Sequence, residues 1–306
     1  MAEKYPKDLM EFEKQFADEA ACRLYLSRLR WPAGFQCPTC AAKEHLVVRR
    51  ERWRCLNCGR ESSVTSGTVL QDTKLPLALW VRAMWLMTNQ KSGVSALGLQ
   101  RALGIGSYKT AWSILHKLRR AMIRPGRDQL RGIVEVDETY YGAPNKGLTG
   151  RQLGDKALIV IAAEIEATRI GRIRMRTIPA ASRKHLHRFI ADSITPGSTV
   201  RTDGLPSYCD LQGFVHDRQP QSWQADDEEH VLPRLHRVIT LLKRWLLGTH
   251  QGAVDNDYLQ DYLDEFTFRF NRRTSAARGK LFYRLAQQAV QIPPTTFARL
   301  GEHHNR

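Results

Sequence analysis

The sequence predicts a multi-domain protein in which a small metal-bound ribbon and a helix-turn-helix unit precede a mixed α/β domain. Three observations predict it. Two C-x2-C pairs lie fourteen residues apart, three helical patterns follow between residues 75 and 122, and from residue 131 the periodicity changes to that of strands.

The elements can be justified in order. Residues 9 to 30 place Leu9, Phe12, Phe16, Ala20, Leu24, Leu26 and Leu29 among charges at helical spacing, which predicts one amphipathic lead-in helix ended by "RWPAGF". We assign residues 1–30 to this helical segment. The next stretch, 31–72, holds Cys37, Cys40, Cys55 and Cys58, with short β-like pieces "HLVVRR" and "RWRC" between the pairs. Two such knuckles put four thiolates around one tetrahedral Zn²⁺, which replaces a core that so short a segment cannot supply. No βαβ pattern surrounds either pair, so a redox reading is disfavoured. Cys22 and Cys209 stand apart and read as ordinary buried thiols.

Residues 73–126 contain "LPLALWVRAMWLMTN", "VSALGLQRAL" and "SYKTAWSILHKLRRAM", the last opened by Ser107 as an expected N-cap. A short helix, the tight turn "GIGS" and a longer helix carrying Lys109, Lys117, Arg119 and Arg120 match the plan of a helix-turn-helix DNA reader. A plain structural bundle would show the same three patterns. Past a linker with Pro125 and Gly126, residues 127–273 read as α/β: "RGIVEVDETYYG", "KALIVIAAEIE" and "RIRMRTIP" as strands, "SRKHLHRFIADSI" as a helix, and "STVRTDG" as a further strand. Later helices close the domain, and a C-terminal helix and tail fill 274–306. In "DYLQDYLDEFTFRFNRR" the stripe Tyr258, Leu259, Tyr262, Leu263, Phe266 and Phe270 reads as core, with Arg272 and Arg273 at the helix end.

Charge narrows the function. With 47 Lys+Arg against 31 Asp+Glu, the net charge of +16 points to a polyanionic partner. No apolar run reaches the ~18 residues of a membrane span, since the best stretch is broken by Arg82, and the N-terminus lacks the pattern of a signal peptide. A cytoplasmic, nucleoid-associated protein without a membrane partner is expected.

Two aspartates stand where carboxylates are rare. Asp137 lies within the strand "VEVDET", and Asp203 lies where the strand "VRTDG" runs out into a turn. Carboxylates so placed can hold hard cations such as Mg²⁺ beside phosphates, although each alone would pass for a solvent-facing acid. Alternation puts Glu135, Asp137 and Thr139 on one face and Val134, Val136 and Glu138 on the other, which favours Asp137 over Glu138 and leaves Glu135 a competitor.

"LRWPAGFQCPTC", "SVTSGTVLQDTKLPL", "VEVDETYYG", "TDGLPSY", "LLKRWLLGTHQG" and "YLDEFTFRFNRR" resemble, in this order, signatures of bacterial zinc-ribbon-bearing insertion-sequence transposases of the ISXO-like group. The likeness runs from about residue 9 to 290. It implies a ribonuclease H-like core of the DDE type, with Asp137 and Asp203 as the first two ligands of two catalytic Mg²⁺ or Mn²⁺ ions. A third ligand is implied on a following helix, with a basic residue two turns later. Counting back from Lys243, that position is His236, where many relatives carry Glu and some Asn. Asp226, Asp227, Glu228 and Glu229 are the alternative source of the third ligand.

Helical phase helps to weigh His236. Leu235, Val238, Ile239, Leu242, Trp245 and Leu246 form an apolar stripe, and His236 and Lys243 lie some 120° from its centre, about 700° apart along the helix and thus on nearly one side. His236 is therefore no core histidine, although a plain surface histidine would satisfy the same phase. The expected activity is cutting of DNA at the element's inverted-repeat ends and joining of the 3′ ends to target DNA, in a dimer or larger assembly. Competing expectations are a non-catalytic zinc-ribbon/helix-turn-helix DNA-binding regulator derived from such a transposase, and a nuclease of RNA–DNA hybrids.

Overall fold

The computed structural model describes residues 3–142, 156–167, 169–219, 231–297 and 300. The chain falls into two units, one made of Met1–Arg124 with Thr274–His304 and the other built on Pro125–Arg273.

In the first unit the lead-in segment is two helices rather than one: α1 (Leu9–Gln15) and α2 (Glu19–Arg30). Asp18 breaks the pattern by capping α2, its carboxylate accepting from the Ala21 N–H at 2.8 Å. The break is stabilised by packing, because Phe12 and Phe16 both turn into an aromatic cluster with Tyr25, Trp85 and Phe282.

A three-stranded antiparallel ribbon follows, β1 (His45–Val48), β2 (Arg52–Cys55) and β3 (Glu61–Ser62), in the order β1-β2-β3. Then come α3 (Leu77–Asn89), α4 (Ala96–Leu103) and α5 (Tyr108–Ala121), close to the expected bounds. Glu19 of α2 caps α3 from outside, accepting from the N–H groups of Leu77 and Ala78 at 2.8 and 3.0 Å, where Pro76 offers no side-chain cap. Ser95 caps α4, and Gly104 ends it at φ 62°, a left-handed position that suits glycine. Ser107 stands at the N-cap of α5 but makes no side-chain capping bond, contrary to expectation.

The second unit is a five-stranded sheet with helices on both faces. Its strands are β4 (Ile133–Tyr141), β5 (Ala157–Glu166), β6 (Arg169–Ile178), β7 (Thr199–Thr202) and β8 (Val215–Arg218), in the order β6-β5-β4-β7-β8. The first three form an antiparallel meander, whereas β7 and β8 run parallel to β4, with α6 (Arg183–Ser193) in the crossover. Sequence reasoning missed β8, because "VHDR" is too short and polar to show a strand period.

Packing follows the alternation. Val134, Val136, Val160 and Ala162 meet α6 through Leu186, Phe189 and Ile190. Ile159, Ile161, Ala163, Ile173 and Met175 meet α7 (Pro233–His250) and α8 (Leu259–Phe270), and the expected stripes of both helices lie in this cluster. Asn271 then pairs its side-chain amide with both the N–H and C=O of Ile173, closing the edge of β6 as a further strand would. Arg272 bonds the Phe268 carbonyl and Arg273 the Gly171 carbonyl, so these arginines serve the helix end and the sheet edge. The last helix, α9 (Gly279–Ala289), belongs to the first unit, where Phe282 joins the aromatic cluster.

Candidate functional site

The ribbon brings Cys37, Cys40, Cys55 and Cys58 together, with all four sulfurs within 4.8 Å of one another. Two of the separations, Cys37 to Cys58 at 3.6 Å and Cys40 to Cys55 at 3.5 Å, test the fit to a metal. A tetrahedron with metal–sulfur bonds of ~2.3 Å has sulfur–sulfur edges of ~3.8 Å, so these two edges are within a few tenths of an ångström of those of a Zn²⁺ site. The backbone N–H groups of Cys40 and Thr39 pull the Cys37 thiol down to about 6. The Arg60 N–H also favours a thiolate at Cys58, yet the neighbouring sulfurs push that thiol up to about 12. Four thiolates this close repel one another, and a central dication removes that repulsion. One zinc per chain is expected by atomic absorption, and Cys40→Ser should release it and melt the ribbon, as a chelator should in the wild type; full zinc content in the variant would refute the site.

In the second unit, Asp137 sits on the central strand β4 on the face that α7 covers. The parallel register pairs Ile133 with Thr199, Val134 with Val200 and Glu135 with Arg201. Continued by two residues, that register sets Asp203 opposite Asp137, just past the end of β7. Adjacent strands lie ~4.8 Å apart, so the register directs Asp203 towards Asp137 at the carboxyl end of the parallel pair, the place where open α/β sheets hold ligands. Each has one oxygen turned to a local N–H: Asp137 Oδ1 accepts from Glu138 at 2.8 Å and Asp203 Oδ1 from Leu205 at 3.0 Å.

His236, near the start of α7, places Nε2 3.7 Å from Asp137 Oδ2, with the His236 side chain 36% and Asp137 13% exposed. Two donors each ~2.1 Å from one octahedral cation stand ~3.0 Å apart when adjacent and ~4.2 Å when opposed, so 3.7 Å lies within reach of a shared ion. Lys243 is exposed two turns along the same helix. The cysteines are the one group of three or more such ligands drawn close together among the described residues, and Asp137, Asp203 and His236 form no second. Asp226, Asp227, Glu228 and Glu229 lie outside the described residues.

Glu135, the competitor on this face, has another role. It is 1% exposed, and its Oε2 accepts from the Leu235 N–H at 2.9 Å. Leu235 is in the first turn of α7, so Glu135 supplies an acceptor that this helix start lacks within its own segment. Burial raises its pKa, opposed by the Leu235 N–H and by Arg234 and Arg201. Glu135 thus anchors the helix that carries His236.

One more residue, Tyr208, escaped the sequence reading. The Tyr208 hydroxyl donates to Glu138 Oε2 at 2.8 Å from the opposite face. Burial lifts its pKa well above the ordinary tyrosine range, and the nearby charges of Glu138, Asp137 and Asp203 add to this. The only sequence signal was the tyrosine that ends "TDGLPSY".

Of the four cations expected to read DNA from α5, two are misplaced for it. Arg119 is 1% exposed and bonds His116, while Arg120 is 6% exposed and donates to the Leu300 carbonyl. Lys109 is exposed and Lys117 half-buried.

Comparison with known proteins agrees with this two-part organisation. Residues 129–271 match the family model described as an ISXO2-like transposase domain, and residues 17–61 match that of a transposase zinc-ribbon domain. A curated relative, the "Uncharacterized protein in transposable element ISH50" of Halobacterium salinarum, is 28% identical over 283 residues, covering 84% of this chain and 92% of the relative.

Proposed function

We propose that this chain, identified by its zinc-ribbon and ISXO2-like domains as a transposase of the ISXO-like group, cuts the ends of its own mobile element and joins the freed 3′ ends to target DNA. The observation that carries the reading is His236 Nε2 at 3.7 Å from Asp137 Oδ2, on a strand whose register with β7 runs towards Asp203.

In this reading the second unit is a ribonuclease H-like, DDE-type core, a meander extended by two parallel strands. Divalent ions held by Asp137, Asp203 and His236 would supply Lewis acidity for in-line phosphoryl transfer, activating the attacking oxygen and stabilising the leaving one. The protein's own contribution is placement. Asp137 holds negative charge within β4 and Asp203 just past the end of β7, Glu135 fixes the start of α7, and that helix presents His236 to Asp137. Lys243, seven residues on, offers a compact ammonium to a phosphate beside the site. No protein nucleophile is required, because water or a 3′-hydroxyl attacks. The ribbon and α3–α5, read as a helix-turn-helix, bind DNA, and cutting two ends together calls for a dimer or larger assembly.

No helix among the described residues is long and apolar enough to cross a membrane. The test is a labelled duplex carrying the element's flanking ends, incubated with Mg²⁺ or Mn²⁺. Nicks at the element boundary, followed by joining to a second duplex, are expected. Tight binding without any strand break would instead favour the regulator, a reading that the histidine at the third position keeps in play.

A further inference from the structure

Asp203 lies beyond the strand that leads to it. β7 ends at Thr202, and the last pairs of its two ladders are Glu135 with Arg201 on one side and Thr202 with Arg218 on the other. The chain then leaves through Gly204 at φ 88°, and the Asp203 carboxylate closes a local turn by accepting from the Leu205 N–H. A carboxylate on a turn aims where the turn aims, so its direction depends on whatever fixes the residues beside it.

Three consecutive residues of β8 do so. His216 Nε2 is 3.0 Å from Thr202 Oγ1, Asp217 Oδ2 accepts from Arg201 Nε at 2.7 Å, and the Arg218 guanidinium donates to the Gly204 carbonyl at 3.0 Å. Gln219 reinforces them, its backbone N–H bonding the Thr202 carbonyl at 2.9 Å and its side-chain amide bonding Asp217 Oδ1 at 2.7 Å. Because successive side chains of a strand face opposite ways, His216 and Asp217 grip β7 from the two faces of the sheet, while Arg218 reaches past its end. Both chain neighbours of Asp203, and the residue before them, are thereby held from one edge strand.

Apolar burial does not account for β8. Its four residues, "VHDR", are all exposed or half-buried. Charge on an edge strand also prevents sheet-to-sheet pairing, but that purpose calls for no bonds converging on Arg201, Thr202 and Gly204. We infer that His216, Asp217 and Arg218 are positioning residues that hold the Asp203 carboxylate in the direction needed to bind a divalent ion. The inference rests on the reading of Asp203 as a metal ligand and deepens it, since groups that orient a ligand typically contribute roughly ten- to a hundred-fold to metal affinity.

The charge of Arg218 gives the test its sign. Acting through charge alone, a cation near a cation site weakens metal binding, and its removal strengthens it. Acting through the Gly204 carbonyl, it does the reverse. The experiment measures Mn²⁺ binding to the zinc-loaded full chain without DNA, by loss of the free-ion signal in electron paramagnetic resonance. Arg218→Met should weaken binding by roughly ten-fold, and Arg218→Lys, which can still donate to the Gly204 carbonyl, should recover most of it. Asp192→Asn, which breaks the comparable ion pair with Arg176 at 2.8 Å, should leave affinity unchanged. Melting temperature is followed in parallel for these variants and for Arg201→Met. A Mn²⁺ loss that merely tracks a fall in melting temperature would mark the contacts as structural and overturn the inference. Equal or tighter Mn²⁺ binding by Arg218→Met, with binding lost in Asp203→Ala, overturns the positioning role and leaves the ligand reading standing. Wild-type Mn²⁺ affinity in Asp203→Ala overturns both.

Discussion

Asp137→Ala and Asp203→Ala should each reduce metal-dependent nicking of the element-end duplex by at least about a thousand-fold while leaving duplex affinity within about two-fold, the loss expected when a charge-stabilising group is removed from a reaction centre. Both residues are partly exposed and neither belongs to the hydrophobic clusters, so truncation leaves the hydrophobic faces of the sheet intact. Asp137→Asn is the stricter variant, because it keeps the shape and the Glu138 bond but removes the charge. Glu135→Gln separates catalysis from anchoring: it should lower stability and lower activity without abolishing it. Full nicking by either alanine variant would sink the metal assignment.

The second expectation concerns His236. A neutral imidazole donates one nitrogen and no charge, and it suits softer divalent ions better than Mg²⁺, which prefers oxygen ligands. The wild type should therefore work better with Mn²⁺ than with Mg²⁺, and His236→Glu should shift that preference towards Mg²⁺ by about ten-fold, roughly 1.4 kcal/mol. His236→Ala should lose most activity with either ion. The shift in preference is a readout that a merely structural histidine would not produce. Unimpaired nicking by His236→Ala would hand the third position to the acids at 226–229 or make it unnecessary.

Much of the fold was legible because its signals are local. Cys37, Cys40, Cys55 and Cys58 declare a metal by spacing alone, and the ribbon closes them to within 4.8 Å. The stripe from Leu235 to Leu246 showed which side of α7 is buried, and that side lies in the core. The break at Asp18 was not legible, since Phe12, Phe16 and Tyr25 continue a helical pattern across it and only the distant Phe282 and Trp85 explain the turn. Arg119 and Arg120 read as a basic flank for a related reason. Their partners, His116 and Leu300, include one 180 residues away.

By itself the sequence determined the ribbon's ligands, the alternation that sends Glu135 and Asp137 to one face of β4, and the phase that keeps His236 out of the α7 core. Only the tertiary structure decided which neighbour occupies each of those directions. The β4–β7 register pairs Glu135 with Arg201 and runs on towards Asp137 and Asp203, Glu135 receives the Leu235 N–H, and His236 comes to 3.7 Å from Asp137. The physical reason is that periodicity fixes a side chain's direction about its own helix or strand axis, whereas distance and charge between segments a hundred residues apart arise only when those segments pack.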